Sequence, residues 1–384
     1  GHIRGLWVEH GVSGWEPGMC DDRAVEDGLA SGKECAEIGS ATEVFFNRIR
    51  LQPYRRYQPR PGQSVILSVH KPPFPAQELF DSFPPGLFTV LDGIKTRGKL
   101  SWDLDFRSDL ASPDSLVFET ALHRHQFGVI SYGNSDLTKL NEDFIHTVWE
   151  EERLVRSFTV GPENPEFRRL DHISPYLQYA VMTSEDGGFY QHRGFLPDAF
   201  RESLITNIKE RRFARGGSTI SMQLVKNAFL NRNKTIARKV EEALIVWLIE
   251  NQGLTAKERM MEVYLNIIEW GPMVFGANEA ARFYFNNDAA KLTLEESIFM
   301  ASIIPRPKSF RYSFDDEGKL REHQADFFRL VTRKMVDKGW LSSDEAEKMV
   351  PSVVLKGDAL KWIKRGDSIP ENNLQLLQGN DINP

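Results

Sequence analysis

The sequence predicts an α+β protein in which a β-rich N-terminal region precedes a mostly α-helical C-terminal portion. Three observations carry this expectation. Residues from about 40 to 150 are rich in short alternating or β-branched runs broken by Pro and Gly. From about residue 170 onward, apolar residues recur at helical spacing. Several Ser or Thr residues also stand three positions ahead of a Glu, just before apolar-periodic stretches.

Taken in order, residues 1–40 contain several Gly and few apolar clusters and read as irregular structure. Val65–Val69, Leu100–Phe106 and Leu116–Thr120 are the clearest strand candidates. Pro72-Pro73-Phe74-Pro75 and Pro84-Pro85-Gly86 read as loops that punctuate them. Gly161-Pro162-Glu163-Asn164-Pro165 reads as a linker. Ser174 followed by Pro175 predicts a helix start, because Pro at the first helical position forfeits an N–H that would have no partner there. Ile173, Tyr176, Leu177, Ala180 and Val181 continue that helix. Thr255 with Glu258, Thr293 with Glu296, and Ser342 with Glu345 fit the reciprocal capping box. The chain of 384 residues is long for one domain. The expected division is residues 1–160 as a β-rich region of unassigned role, 161–315 as a helical domain, and 316–384 as a helical extension.

A net charge of −6 gives no reason to expect nucleic acid as a partner. Cys20 and Cys35 are the two cysteines; they could form one disulfide or stay as thiols, and no metal-ligand pattern involves them. His123 and His125 form an H-x-H on a strand-like segment, which fits a solvated strand face better than a metal site. No run of about 18 apolar residues is present to span a bilayer. The chain opens on Gly1-His2 without an initiator Met or signal peptide, and reads as a piece of a longer protein whose membrane anchor lies elsewhere.

Two segments carry chemistry. A helix is expected from about Thr235 to Glu250, with seven consecutive apolar residues from Ala243 to Ile249 that should be buried. Arg238 and Glu242 lie one turn apart on it, and Ile245 and Ile249 continue the same side. A carboxylate against an apolar surface needs a partner or a task, and an ion pair with Arg238 is the simplest of these. The second segment, Glu185-Asp186-Gly187-Gly188-Phe189-Tyr190-Gln191-His192-Arg193-Gly194, follows the helix that starts at Pro175. A helix C-terminus disfavours negative charge and partial burial raises a carboxylate's pKa, so both would favour proton transfer near neutral pH. A solvated acidic helix end is the alternative for this segment taken alone.

Together, E-D-x-x-F-x-x-H-x-G at 185–194, G-G-S-T-I-S-M-Q-L-V-K-N at 216–227 and R-K-x-x-E at 238–242 resemble three signature motifs of glycosyltransferase family 51. That family comprises the glycosyltransferase domain of class A penicillin-binding proteins and the monofunctional peptidoglycan transglycosylases. Lys257, Glu262, Tyr264, Leu265, Asn266 and Gly271 resemble its fourth motif, and Ala280 to Phe285 through Pro305 a fifth element. Val274 to Ala277 after Trp270-Gly271 is closer to the monofunctional branch. Two departures stand out: Arg215 precedes Gly216 where the family has Gln, and Met222 replaces the first of a Gln pair.

The resemblance implies a mostly helical, lysozyme-like fold and an inverting transfer of glycan from undecaprenyl diphosphate onto the 4-hydroxyl of lipid II. It implies Glu185 as the base and Glu242 as a second essential carboxylate. It implies Lys226, Arg238 and Lys239 as pyrophosphate holders, with Ser218, Thr219 and Gln223 adding hydrogen bonds and Asp186, Phe189 and His192 shaping the first motif. The basic residues crowded between 201 and 240 agree with an anionic ligand. Phe195 to Ile208 is a membrane-apposed jaw in the family, or else an ordinary amphipathic helix packed on the domain. Implied partners are lipid II, the growing glycan chain, the membrane surface and cell-wall synthesis proteins reached through the N-terminal region, on the extracytoplasmic face of a bacterial inner membrane. The resemblance allows a divalent cation such as Mg²⁺, though no dedicated ligand cluster is legible. A lysozyme-like hydrolase and an inert assembly scaffold are the rival readings; the basic group argues against the first and the two retained carboxylates against the second. Ser68-Val69-His70-Lys71 matches S-x-x-K by chance, since no K-T-G follows and no room remains for a transpeptidase domain.

Overall fold

The structure, a computed structural model, describes residues 36–38, 44–46, 49–51, 53–58, 64–150, 153–211, 216–230 and 235–364. In chain order the strands and first helix are β1 (Ala36–Ile38), β2 (Val44–Phe46), β3 (Ile49–Leu51), β4 (Pro53–Gln58), β5 (Ser64–Pro75), α1 (Ala76–Asp81), β6 (Lys95–Asp109), β7 (Val117–Ser131), β8 (Phe144–Glu150) and β9 (Arg153–Val160). There follow α2 (Pro175–Glu185), α3 (Pro197–Glu210), α4 (Ile220–Phe229), α5 (Ile236–Gln252), α6 (Lys257–Ile267), β10 (Glu269–Gly271), β11 (Val274–Phe275), α7 (Ala277–Phe285), α8 (Leu294–Ile303), α9 (Ala325–Asp337), α10 (Ser343–Lys348) and α11 (Ala359–Lys364). The chain is therefore α+β, strand-rich before residue 160 and helical after it. Cys20 and Cys35 lie outside the described residues, as do Arg212, Arg215, Arg232 and Lys234 of the basic stretch.

These elements gather into two compact units, one of residues 1–137, 192–225 and 229–254, the other of residues 138–191, 226–228 and 255–384. In the first unit the antiparallel sheet runs β1-β4-β5-β6-β7. Val69, Phe74 and Leu100 are buried apolar side chains of this sheet, together with Ala76 and Phe80 of α1 and Phe88, Val90, Leu91 and Ile94 of the segment leading into β6. Val65–Val69 and Leu100–Phe106 fall inside strands, and Leu116–Thr120 does so from Val117 onward.

Pro72 and Pro73 do not form the expected loop. They lie within β5, where the register slips between Lys71, opposite Trp102, and Phe74, opposite Leu100. Two residues there face one, a bulge that removes both prolines from the ladder, where their missing N–H would break a rung. The β6–β7 pairing is irregular again at Gly98, whose φ of +80° suits glycine. A Cβ there would come within 2.2 Å of the Gln126 carbonyl oxygen, so the close strand approach depends on its absence.

The second unit is built on α2, which packs against α8 and α9. Leu177 and Val181 of α2 are fully buried with Met260, Met261, Tyr264, Trp270, Phe299 and Met335. Tyr284 forms edge contacts with Phe299 and Phe310, each at 5.2 Å between centroids, and donates its hydroxyl to the Trp270 carbonyl at 2.6 Å. Burial pushes that phenol well above its ordinary range, so it stays a donor at any physiological pH.

The capping expectations divide. Thr293 with Glu296 and Ser342 with Glu345 form complete boxes. Thr255 does not cap α6, which starts two residues later from Ala256, and its hydroxyl is buried without a hydrogen-bond partner among the described residues. Pro175 does open α2, although the Ser174 hydroxyl bonds the Leu292 carbonyl rather than the helix.

Candidate functional site

Glu185 is the last residue of α2, half-buried, and Asp186 is its C-cap, 2% exposed. Two hydrogen bonds fix this turn: Asp186 N–H to the Met182 carbonyl at 2.9 Å, and Phe189 N–H to the Asp186 carbonyl at 3.1 Å. Phe189 is buried beneath the turn, and the Lys257 ammonium sits 4.3 Å from its ring centroid, a cation–π contact that sets a positive charge beside the acidic segment. Tyr264, fully buried, has its phenol pushed far up by desolvation, with the charges of Glu185 and Asp186 adding to the shift. Lys338, just beyond α9, donates to the Gly187 carbonyl at 2.7 Å, and Trp340 stacks on Tyr179 of α2 at 5.3 Å. Residues just after α9 thus contact both the middle of α2 and the turn that follows Glu185.

The fourth-motif residues hold the approach to α2. The Glu262 carboxylate accepts the Leu170 N–H at 2.7 Å and is paired with Arg259. Asn266 accepts the Arg168 N–H at 2.9 Å and returns an N–H to the Arg168 carbonyl at 2.7 Å. Both side chains satisfy the backbone of a segment that enters α2, so this motif acts as scaffold for the first.

In the first unit, His192 takes the Gly194 N–H on Nδ1 at 3.0 Å, a local turn contact within the first motif. Thr219 caps α4 by accepting from Met222 N–H at 3.2 Å and donates to the Gly194 carbonyl at 2.7 Å. One buried hydroxyl therefore joins the first motif to the second. Met222, one of the two departures from the family pattern, is buried. Gln223 is half-buried on α4, while Ser218 and Lys226 are exposed.

On α5, which Thr235 caps, Glu242 is 1% exposed and meets two cations. Lys239 Nζ is 2.5 Å from Oε1, and Arg238 Nη1 is 3.8 Å from Oε2. Lys239 also reaches Ser218 Oγ at 3.3 Å, which brings the second and third motifs together. Arg238 Nε and Nη1 and Glu242 Oε2 are buried and have no hydrogen-bond partner among the described residues. Buried donors of this strength are normally hydrogen-bonded, so Arg238 Nε and Nη1 stand out, with only the 3.8 Å ion pair to Glu242 beside them. Arg201 and Lys209, by contrast, are turned toward residues 114–116: Arg201 donates to the Leu116 and Asp114 carbonyls, and Lys209 pairs with Asp114. That part of the basic stretch serves packing, a use its composition did not reveal. Helix α3 likewise sets Phe200 against Phe118 of β7, with 4.9 Å between ring centroids.

Two residues here escaped sequence reasoning. Lys338 carries no local signal, since only the fold brings it to Gly187. Glu241 stood in view beside Glu242, ahead of a buried apolar run, but nothing in the pattern said which surface it would face. Among the described residues no group of three or more His, Cys, Asp or Glu is placed to hold a metal ion. Nor is any helix among them long and apolar enough to cross a membrane.

Comparison with known proteins agrees with the motif arrangement. The transglycosylase family model matches residues 151–335. The biosynthetic peptidoglycan transglycosylase of Nitrosomonas eutropha is 42% identical over 183 residues, which cover 46% of this chain and 74% of that protein. Its counterpart in Chromobacterium violaceum is 36% identical over 211 residues, covering 55% of this chain and 83% of the relative. That of Laribacter hongkongensis is 38% identical over 192 residues, covering 49% and 81%. With its motifs in order and relatives matched over most of their length, the chain belongs to the transglycosylase family.

Proposed function

We infer that this protein is a peptidoglycan glycosyltransferase, which polymerises lipid II into β-1,4-linked glycan strands and releases undecaprenyl diphosphate. The observation that carries this reading furthest is the Arg238–Lys239–Glu242 cluster beside Ser218, where buried cationic donors have no hydrogen-bond partner among the described residues. In the proposed reaction the acceptor 4-hydroxyl attacks C1 of the donor sugar. Glu185 takes the hydroxyl proton as the new O–C1 bond forms and the bond from C1 to the diphosphate oxygen breaks. Charge grows on the departing diphosphate, and Lys226, Arg238 and Lys239 stabilise it where it develops. Glu242 holds the two cations of its own helix in place. Ser218 and Gln223 supply hydrogen bonds to sugar or phosphate, while Thr219, Asp186, Phe189 and His192 hold the motifs that present them.

The same reading assigns a lysozyme-like helical fold to residues 161–315, with 316–384 as their extension, and places the work on the extracytoplasmic face of a bacterial membrane. Fixed cations in place of a paired water and acid argue for transfer over hydrolysis, since only transfer has a diphosphate to hold. The test is incubation with lipid II. The wild type should yield polymer and undecaprenyl diphosphate, and Glu185→Gln should lose at least ~100-fold in rate, as expected for removal of a general base. Shortened glycan from sacculi would instead identify a hydrolase, and full activity in Glu185→Gln would remove Glu185 from its role.

A further inference from the structure

Glu241 is as deeply buried as Glu242, at 2% exposed, yet no transfer step uses it. Its Oε1 accepts three consecutive backbone N–H groups, from Thr89 at 2.9 Å, Val90 at 2.7 Å and Leu91 at 3.1 Å. Among the described residues no cation pairs with it, so its charge rests on a concave row of peptide dipoles. A buried carboxylate is tolerable only when hydrogen-bonded in this way, and removing it would strand three peptide donors at once.

The receiving segment is firmly built. Phe88, Val90, Leu91 and Ile94 are buried around it. Gln77 of α1 ties its end to the sheet, donating to the Ile94 carbonyl at 3.1 Å and accepting the Thr96 N–H at 2.7 Å. The same sheet meets α5 twice more, through Phe127 against Trp247 at 5.0 Å and Arg124 Nη1 to the Asn251 carbonyl at 2.5 Å. Helix α5 is therefore held at several points along its length by residues from before position 130, and Glu241 makes its polar contacts from within the third motif.

We propose that Glu241 is a positioning residue: by seating its carboxylate on the Thr89–Leu91 amides it sets the rotation and depth of α5, so that the N-terminal β region is a working part of the transferase. Neighbouring helix positions diverge by about 100°, so a helix locked through Glu241 presents Arg238, Lys239 and Glu242 in a fixed direction toward Ser218. The inference rests on the proposed transfer reaction for its kinetic arm, but not for its structural arm.

The test uses the full chain with Glu241→Gln, which keeps an acceptor oxygen, and Glu241→Met, which keeps the volume and loses the acceptor. Lipid II polymerisation is measured alongside amide hydrogen exchange over residues 84–94 and 236–246. Glu241→Met should lower kcat roughly ten- to a hundredfold with KM for lipid II within about twofold, because misplacement and not lost contact is the fault. It should also speed exchange in both segments, whereas Glu241→Gln restores most of the rate and the protection. Unchanged exchange in Glu241→Met overturns the proposal, and so does faster exchange with unchanged kcat. A KM effect matching the kcat effect overturns it too, since that marks a substrate contact. If Glu241→Met does not fold, Glu241→Gln decides: protection of 84–94 lost despite the retained acceptor refutes the amide seat, and protection kept upholds it. An inactive wild type with normal protection would sink the transfer reading alone, and the exchange comparison would then decide whether Glu241 fastens α5.

Discussion

Replacing Gly194 by alanine should destabilise the first unit far more than a single methyl suggests. Gly194 closes the first motif with φ at +88°, which costs an L residue roughly 1–2 kcal/mol. A Cβ placed there meets Val246 Cγ1 at 2.4 Å and Glu250 Cγ at 3.1 Å, both on α5. Forcing a group into such a packed site adds about 1–3 kcal/mol, for a total of about 2–5 kcal/mol. The Glu250 chain can swing aside, but buried Val246 cannot. The strain also reaches α4, because the Gly194 carbonyl accepts the hydroxyl of its cap, Thr219. Chemical denaturation of Gly194→Ala in wild-type and Val246→Ala backgrounds separates the two costs. In the second background the clash is relieved, and only the roughly 1–2 kcal/mol of backbone strain should remain. Equal penalties in both backgrounds, or a penalty below about 1 kcal/mol in the wild type, would refute the steric account.

Other expectations follow from the helix ends. The carboxyl of Glu345 is held down to about 2, chiefly by the Ser342 hydroxyl, then by the Ser342 N–H and the Tyr176 hydroxyl. A carboxyl whose folded pKa is depressed adds stability above its ordinary value of 4.5 and loses it as pH falls toward about 2. The difference in thermal midpoint between wild type and Glu345→Gln should therefore be widest near neutral pH and shrink in acid; a constant difference would contradict the assignment. Thr293→Ala removes one half of the α8 capping box and should cost about 1 kcal/mol by denaturant titration, with Thr293→Ser recovering most of it.

Much of the protein could be read without coordinates because it depends on local patterns. The start of α2 at Pro175, the caps of α8 and α10, the buried run on α5 and the pairing of Glu242 with Arg238 are all set by residues within one turn of each other. The family could be read for the same reason, since each motif is a short string in a fixed order. What short strings could not convey was which distant backbone a side chain would satisfy. Pro72 and Pro73 look like a loop until their pairing with β6 shows the bulge in β5 that accommodates them. Thr255 and Glu258 have the spacing of a cap, yet α6 starts later. Arg201 looks like a cation awaiting an anion until its guanidinium is found on the carbonyls of residues 114 and 116.

The sequence by itself therefore determined the secondary-structure plan after residue 160, the family and the set of residues to suspect, because helix periodicity and motif spacing are properties of contiguous chain. Only the tertiary structure decided which of those residues are held by distant backbone and which are left without a hydrogen-bond partner among the described residues. Glu262 and Asn266 spend their hydrogen bonds on the backbone before α2, whereas Arg238 keeps donors unspent. Only the tertiary structure, too, joined Glu241 to the amides of Thr89, Val90 and Leu91, about 150 positions away. A buried charge must be satisfied somewhere; where that is depends on the packing of the whole unit.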